Sequence, residues 1–415
     1  MEARLESGAR LVEVEAKSIA RGSGTDPWFL GRYGANLYRG CEHGCLYCDG
    51  RAERYQVAGD FARDIQVKVN ALGLLEQELG RAREPGFLFV GGGVCDAWQP
   101  AEAKYRLARG VLELALKLRF PVHVLTKSAL VERDLDLLER INAERRAILS
   151  FSLASVDERL REQLEPGAAP FAERLRILEK ARARGIATGI MAMPLFPGLS
   201  DQPEHLRELV SRAASAGVRF VCFAGMTLRP GVQQQTFLDA VRRDHADLLP
   251  GYQTLYRQQK SSGAPDPRYS ERLYRRCREA LAVQGLPGRI PGELFTGLIP
   301  SYAEVAVLLE HEDAERGEPG AKAAACWALQ KWAQKKLGRL RGPRAWREVE
   351  AAFELALRSG FWRGSSGSPR RSRGGCANSP PPLTRLPVAD GLTERAHWAH
   401  CSGEKPVGCS FLPWS

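Results

Sequence analysis

The sequence predicts an α/β fold: an open, partial (β/α)6 barrel of the TIM type, followed by a mostly helical C-terminal region and a disordered tail. Three observations predict it. From about residue 33, short apolar runs alternate with longer amphipathic stretches, the rhythm of βα units around a parallel sheet. Six such units fall short of the eight that close a barrel. After Asp239 the strand rhythm fades, and from Gly364 the chain lacks the apolar residues a packed core needs.

Residues 1–32 read as an N-terminal extension, and 33–239 as the barrel. Its strands are expected at Ala35–Tyr38, Phe87–Val90, Val122–Thr126, Ala147–Leu153, Ile186–Met193 and Val218–Phe223. Between them, Glu102–Leu118, Asp134–Ile141, Ala172–Arg184 and Pro203–Ala216 carry apolar residues at helical spacing. Gly185 and Gly217 stand where C′ glycines end two of these helices. Residues 240–362 are helical in pattern, with breaks at Gly263–Pro267 and Gly285–Gly292. In the basic stretch Ala321–Leu340, Trp327 and Trp332 read as core residues rather than a base-stacking platform. Residues 363–415 form a Gly-, Ser-, Arg- and Pro-rich tail that cannot fold alone. Its His397, His400, Cys401 and Cys409 match no metal-site spacing.

Bulk composition excludes several classes. The chain has 415 residues, 44% hydrophobic and 26% charged, which is ordinary for a globular protein with a sizeable core. No apolar run is long enough to span a bilayer, and the acidic N-terminus lacks a signal-peptide core. A cytoplasmic protein with no membrane partner is the expectation. Ten cysteines in a chain this long do not make a secreted disulfide framework. Of the net charge of +11, residues 321–415 hold +10. A basic segment suits a polyanion such as nucleic acid, and it equally suits a solvated helix face and tail.

The chemistry concentrates in Asn36-Leu-Tyr-Arg-Gly-Cys41-Glu-His-Gly-Cys45-Leu-Tyr47-Cys48-Asp49. Thiolates select zinc or iron–sulfur clusters. Cys41, Cys45 and Cys48 can wrap three corners of a cubane and leave a fourth iron open. Gly40 and Gly44 let the backbone turn closely around it. A zinc site is the rival reading, but zinc wants four ligands, and only His43 lies at hand in the loop.

The CxxxCxxC spacing, with an aromatic before its last cysteine and a position after the first strand, resembles the signature of the radical SAM superfamily. That resemblance implies a [4Fe–4S] cluster on Cys41, Cys45 and Cys48. It also implies S-adenosylmethionine on the open iron, cleaved by one electron to a 5′-deoxyadenosyl radical that takes hydrogen from substrate. A flavodoxin or ferredoxin is the expected electron donor. Gly91, Gly92 and Gly93, ending the second strand, resemble the family's glycine motif beside the methionine amino group. Tyr47 matches the aromatic packed near the adenine. Ser152 on the fourth strand is a candidate contact to the ribose or methionine carboxylate, or a hydroxyl satisfied by backbone.

Longer stretches resemble the spore photoproduct lyase-like branch, also labelled DNA repair photolyase-like. They are Asn36–Asp49, Val94–Pro100, Leu125–Ser128 with Arg133–Leu138, Leu164–Gly167, Met193–Gly198, and Arg289–Pro291 leading to Tyr302–Glu310. This resemblance makes Lys127 a contact to S-adenosylmethionine. It aligns Gly93 with the branch's hydrogen-donating cysteine, so Cys95, two residues on, is either a neighbour of the cofactor or a displaced donor. Cys95 is thus the candidate catalytic residue. The function expected is hydrogen abstraction from a substrate, with nucleic acid as the first class. A protein or small-molecule substrate, or a non-catalytic metal-binding protein, are the alternatives.

Overall fold

In the computed structural model, the structure describes residues 2–4, 8–22, 24–57, 59–91, 94–316, 331–339 and 345–358. The predicted tail and Trp327 lie outside them. The chain opens with strands β1 (Glu2–Arg4), β2 (Arg10–Val14), β3 (Ala20–Gly22), β4 (Gly31–Ala35), β5 (Tyr38–Arg39) and β6 (Asp64–Lys68). Then follow α1 (Ala71–Gly80), β7 (Phe87–Val90), α2 (Ala101–Tyr105), α3 (Leu107–Lys117), β8 (Val122–Thr126), α4 (Leu135–Glu144) and β9 (Ala147–Ser152). After α5 (Glu158–Leu164) and α6 (Phe171–Ala183) come β10 (Ala187–Leu195), α7 (Pro203–Ser215) and β11 (Phe220–Gly225). The rest is helical: α8 (Val232–Asp244), α9 (Leu249–Leu255), α10 (Pro267–Gln284), α11 (Ser301–Arg316), α12 (331–339) and α13 (Ala345–Arg358).

The α/β expectation holds. The main sheet runs β11-β10-β9-β8-β7-β4-β3, and its first six strands are all parallel. Each predicted barrel strand after the first lies within about two residues of an observed one. Gly185 and Gly217 take the left-handed backbone (φ 75° and 69°) that ends α6 and α7.

Three expectations need correction. The first predicted strand, Ala35–Tyr38, is two strands in two sheets. β4 ends at Ala35, and the chain crosses through Asn36 and Leu37 to β5. There Tyr38 pairs with Val67 in a second, four-stranded sheet of order β1-β2-β6-β5. The 1–32 extension is correspondingly part of both sheets: β1 and β2 build the small one, and β3 pairs antiparallel with β4. Finally, the helix expected over Glu102–Leu118 is broken at Arg106, whose φ is 54°. The buried Glu102 carboxylate causes the break. It accepts the backbone N–H groups of Ala108 and Arg109 at 2.9 and 3.2 Å, capping α3. It also accepts the Tyr38 hydroxyl at 2.7 Å and an Arg133 N–H at 2.9 Å.

Successive side chains on the strands face opposite ways. Leu149 and Phe151 of β9 join the core between the sheet and its covering helices, with Val111, Leu138 and Leu178. Ile148 faces the other side, where Phe87, Met191 and Phe220 meet Phe295, Tyr302, Val307 and Phe353. The C-terminal helices therefore pack against the inner face of the sheet. Buried Glu84 joins the two, pairing with Arg32 and accepting the Tyr302 hydroxyl. Trp332 belongs to this packing, as the sequence suggests. No described helix is long and apolar enough to cross a membrane.

Two buried histidines make stability pH-dependent. His123 bonds the Phe29 carbonyl (2.8 Å) and the Ser150 hydroxyl (2.8 Å); His311 bonds the Pro27 carbonyl (2.7 Å). Burial pushes both from 6.5 down to about 4. Between those values the unfolded chain takes up protons that the folded chain refuses. Stability present above pH 6.5 is therefore lost as pH falls toward 4, by up to about 3 kcal/mol for each histidine. Urea unfolding at stepped pH should show this loss, and His311→Gln should flatten the profile in that window.

Candidate active site

The cysteine loop leaves β5, the edge of the small sheet, and lies across the carboxyl ends of the main strands. Its backbone is fixed before any cofactor is considered. The Cys41 N–H donates to the Phe61 carbonyl (2.9 Å), Leu46 N–H to Leu164 (2.9 Å), and Gly167 N–H to His43 (3.0 Å). Arg51 closes the loop, donating to the Cys45 and Gly44 carbonyls at 2.8 and 2.9 Å. Gly40 has φ 78°, and a Cβ there would lie 2.7 Å from the Asp64 carbonyl oxygen. Asp49, directly after Cys48, pairs with Arg229 beyond β11 (3.2 Å) and accepts from Gln233 (3.1 Å). One end of the sheet is thereby tied to the other across the site.

Cys41 and Cys45 are buried and Cys48 is partly so, all as free thiols. Burial pushes the Cys45 thiol up to about 12 and raises Cys41 well above its ordinary value, with Asp96 adding to the rise. Such thiols stay protonated until a metal takes the proton's place. Among the described residues, no three or more His, Cys, Asp or Glu side chains gather around a single ion's position. His43, the sequence's candidate fourth zinc ligand, turns its Nδ1 toward Asp96 at 3.4 Å. This donor set, three thiols on one loop with the imidazole engaged elsewhere, fits a [4Fe–4S] cluster with one thiolate on each of three irons better than a tetrahedral zinc.

The structure brings Tyr47 and Lys127 to this loop. Tyr47 is buried, meets Phe196 edge-on at 4.9 Å between centroids, and donates its hydroxyl to Glu165. Lys127 follows β8 and holds its Nζ 5.8 Å from the centre of the Tyr47 ring. Burial opposes its charge, but Cys45, once ionised, and the Glu165 carboxylate outweigh that and raise its ammonium above the usual lysine range. Gly91 ends β7 with φ 95°, so close to β8 that a Cβ would meet the Leu125 oxygen at 2.1 Å. Gly92 and Gly93 lie outside the described residues.

The other candidates are engaged differently. The Ser152 hydroxyl donates to the Met193 carbonyl at 3.2 Å. Cys95 is half-buried, its thiol pushed up to about 12 by burial. It donates to the Tyr38 carbonyl at 3.3 Å, beside Asn36.

Sequence reasoning singled out neither Asp96 nor the pair Glu165–Arg174. Asp96 accepts Thr126 Oγ1 (2.8 Å), Lys127 N–H (2.7 Å) and Trp98 N–H (2.9 Å). Glu165 and Arg174 pair at 2.7 Å, both fully buried. A signal for Arg174 existed: it shares the helical stripe of Phe171, Ile177, Leu178 and Ala181, where an unpaired cation would not be tolerated. Asp96→Asn, which leaves one of these donors unmatched, should cost about 1–3 kcal/mol in chemical denaturation while the fold persists.

Comparison with known proteins agrees with this geometry. The family model for the radical SAM superfamily matches residues 35–210. An uncharacterized protein of Mycobacterium tuberculosis is 32% identical over 279 residues, 66% of this chain and 81% of that protein. One of Methanocaldococcus jannaschii is 27% identical over 171 residues, 41% of this chain and 62% of the other. Among solved structures, spore photoproduct lyase complexed with dinucleoside spore photoproduct superposes with a TM-score of 0.50 at 18% identity. That match covers 67% of this chain and 80% of the lyase, and it is a likeness of fold. With the cysteine loop, the parallel sheet and these matches together, the chain belongs to the radical SAM superfamily, whose members carry a [4Fe–4S] cluster and S-adenosylmethionine.

Proposed function

We propose that this protein is an enzyme that abstracts hydrogen from a nucleic-acid substrate, using a [4Fe–4S] cluster held by Cys41, Cys45 and Cys48. The observation that carries the reading is a cation, Lys127, set over an aromatic face, Tyr47, beside three thiols, two of them buried. When bound, the cluster supplies reductive cleavage of the sulfur–carbon bond of S-adenosylmethionine, with a flavodoxin or ferredoxin as electron source. The chain's own residues bind, orient and exclude water. Lys127, with no side-chain hydrogen bond of its own among the described residues, is placed to take a carboxylate. The Tyr47 ring offers a flat apolar face to a purine. Gly91 lets a ligand's polar groups approach the backbone at the end of β7. Leu160, Leu164, Phe196 and Phe237 form the apolar wall behind the loop. Cys95 keeps its hydrogen, as a hydrogen donor must, and its position suits either a donor or a neighbour of the cofactor.

A basic groove supports the substrate class. Immediately after Phe196, a surface groove of about 610 Å³ opens, where Arg257, Arg268 and Arg272 outnumber one carboxylate, Asp266, beside Pro197 and Tyr252. The three arginines are exposed and form no ion pair among the described residues. Unpaired guanidinium groups beside a catalytic mouth fit phosphates.

Two experiments test the reading. After anaerobic loading with iron and sulfide and reduction, the protein should convert S-adenosylmethionine to 5′-deoxyadenosine, and Cys45→Ala should lose at least 100-fold of that while staying folded. Full cleavage by Cys45→Ala would remove the cluster assignment. For the substrate, changing Arg257, Arg268 and Arg272 together to Gln should lower the salt dependence of oligonucleotide binding by about two to three units of slope. Wild-type binding that ignores salt would point to a protein or small-molecule substrate instead.

A further inference from the structure

We infer that Glu165 is a positioning residue that holds the far end of the Tyr47 ring in place and thereby sets the affinity for S-adenosylmethionine. The inference rests on the reading of Tyr47 as the ring that faces the adenine. Glu165 does not reach the loop as an isolated side chain. Residues 164–169 are joined to the cysteine loop along their backbone: Leu164 accepts from Leu46 (2.9 Å), and Gly167 donates to His43 (3.0 Å). Ala169 N–H then donates to the Lys127 carbonyl at 3.0 Å. This segment is therefore a second wall of the site, running from the loop that carries Tyr47 to the residue that carries the ammonium.

Within that wall, the two oxygens of Glu165 have separate tasks. Oε1 accepts the Tyr47 hydroxyl; Oε2 pairs with Arg174. Glu165 is 1% exposed and Arg174 0%, so neither charge can relax into water. Arg174 is held in turn by the Ser152 carbonyl (2.7 Å) and the Ala169 carbonyl (2.8 Å). The phenol thus hangs from a carboxylate that cannot move, and Phe196 fixes the ring edge-on from another side. The hydroxyl oxygen lies on the χ2 axis, so its anchor fixes the far end of the ring and the tilt of its long axis, while Phe196 limits rotation about that axis. A phenylalanine would serve for packing alone. The buried ion pair behind the hydroxyl is what a purely apolar contact would not need.

Two variants separate this role from a structural one. Tyr47→Phe keeps the ring and leaves the Glu165–Arg174 pair intact. Glu165→Gln keeps the shape and removes the charge. Each is loaded with iron and sulfide. Binding of S-adenosylmethionine is then measured by equilibrium dialysis and by its perturbation of the reduced cluster's electron paramagnetic resonance. Both variants should hold wild-type iron and bind S-adenosylmethionine about tenfold more weakly. KM should rise in proportion, with kcat within about threefold of wild type. Wild-type affinity in Tyr47→Phe would overturn the proposal, even where Glu165→Gln fails to fold. So would wild-type affinity in a folded Glu165→Gln. A wild-type protein that takes up no S-adenosylmethionine would instead overturn the underlying reading of the site.

Discussion

The carboxylate of Asp96 joins the two halves of the site. The cysteine loop has no regular secondary structure, and its thiols are buried where nothing intrinsic to the loop would keep them. Asp96 lies in the segment that follows β7. It gathers the Thr126 hydroxyl and the Lys127 amide at the end of β8, while His43 of the loop approaches at 3.4 Å. One short side chain thereby sets the distance between the loop and the strand that delivers Lys127. A charged acceptor shared by several buried donors is stiffer than any one neutral bond.

Charge at the site is balanced in space rather than along the chain. Lys127 and Arg174 bring two positive charges, and Glu165 brings a negative charge between them. Burial would raise the carboxyl of Glu165, but Arg174 and Lys127 together hold it below the usual range. Asp96 brings a second negative charge, so the four balance, and Lys127 places its positive charge beside Cys45 and Cys48. Because these groups are buried, water screens them little and each acts strongly on its neighbours.

The C-terminal helices matter through what they occupy. By packing Phe295, Tyr302 and Phe353 against the inner face of the sheet, they fill its interior with apolar side chains and leave polar residues to the carboxyl ends of the strands. The Asp49–Arg229 and Glu165–Arg174 pairs then tie those ends together from opposite sides of the loop. An open sheet can in this way support a rigid mouth without closing its ring of hydrogen bonds.

Much of this was legible in the amino-acid order. Strand and helix periods, helix-ending glycines and the spacing of three cysteines are local properties, and local sterics and chemistry determine them. The parallel sheet and the identity of the candidate metal ligands followed from these alone. The two-sheet origin of the cysteine loop did not, because nothing in Ala35–Tyr38 distinguishes one strand from two that part at Asn36. The break at Arg106 was equally hidden, since Glu102 creates it with bonds that include Tyr38, 64 residues away. The partners of Tyr47, Lys127 and Asp49 lie up to 186 residues off in sequence. Sequence alone determined which side chains are the candidates for the chemistry. Only the tertiary structure decided which buried charges face one another, because that depends on how distant strand ends converge in space.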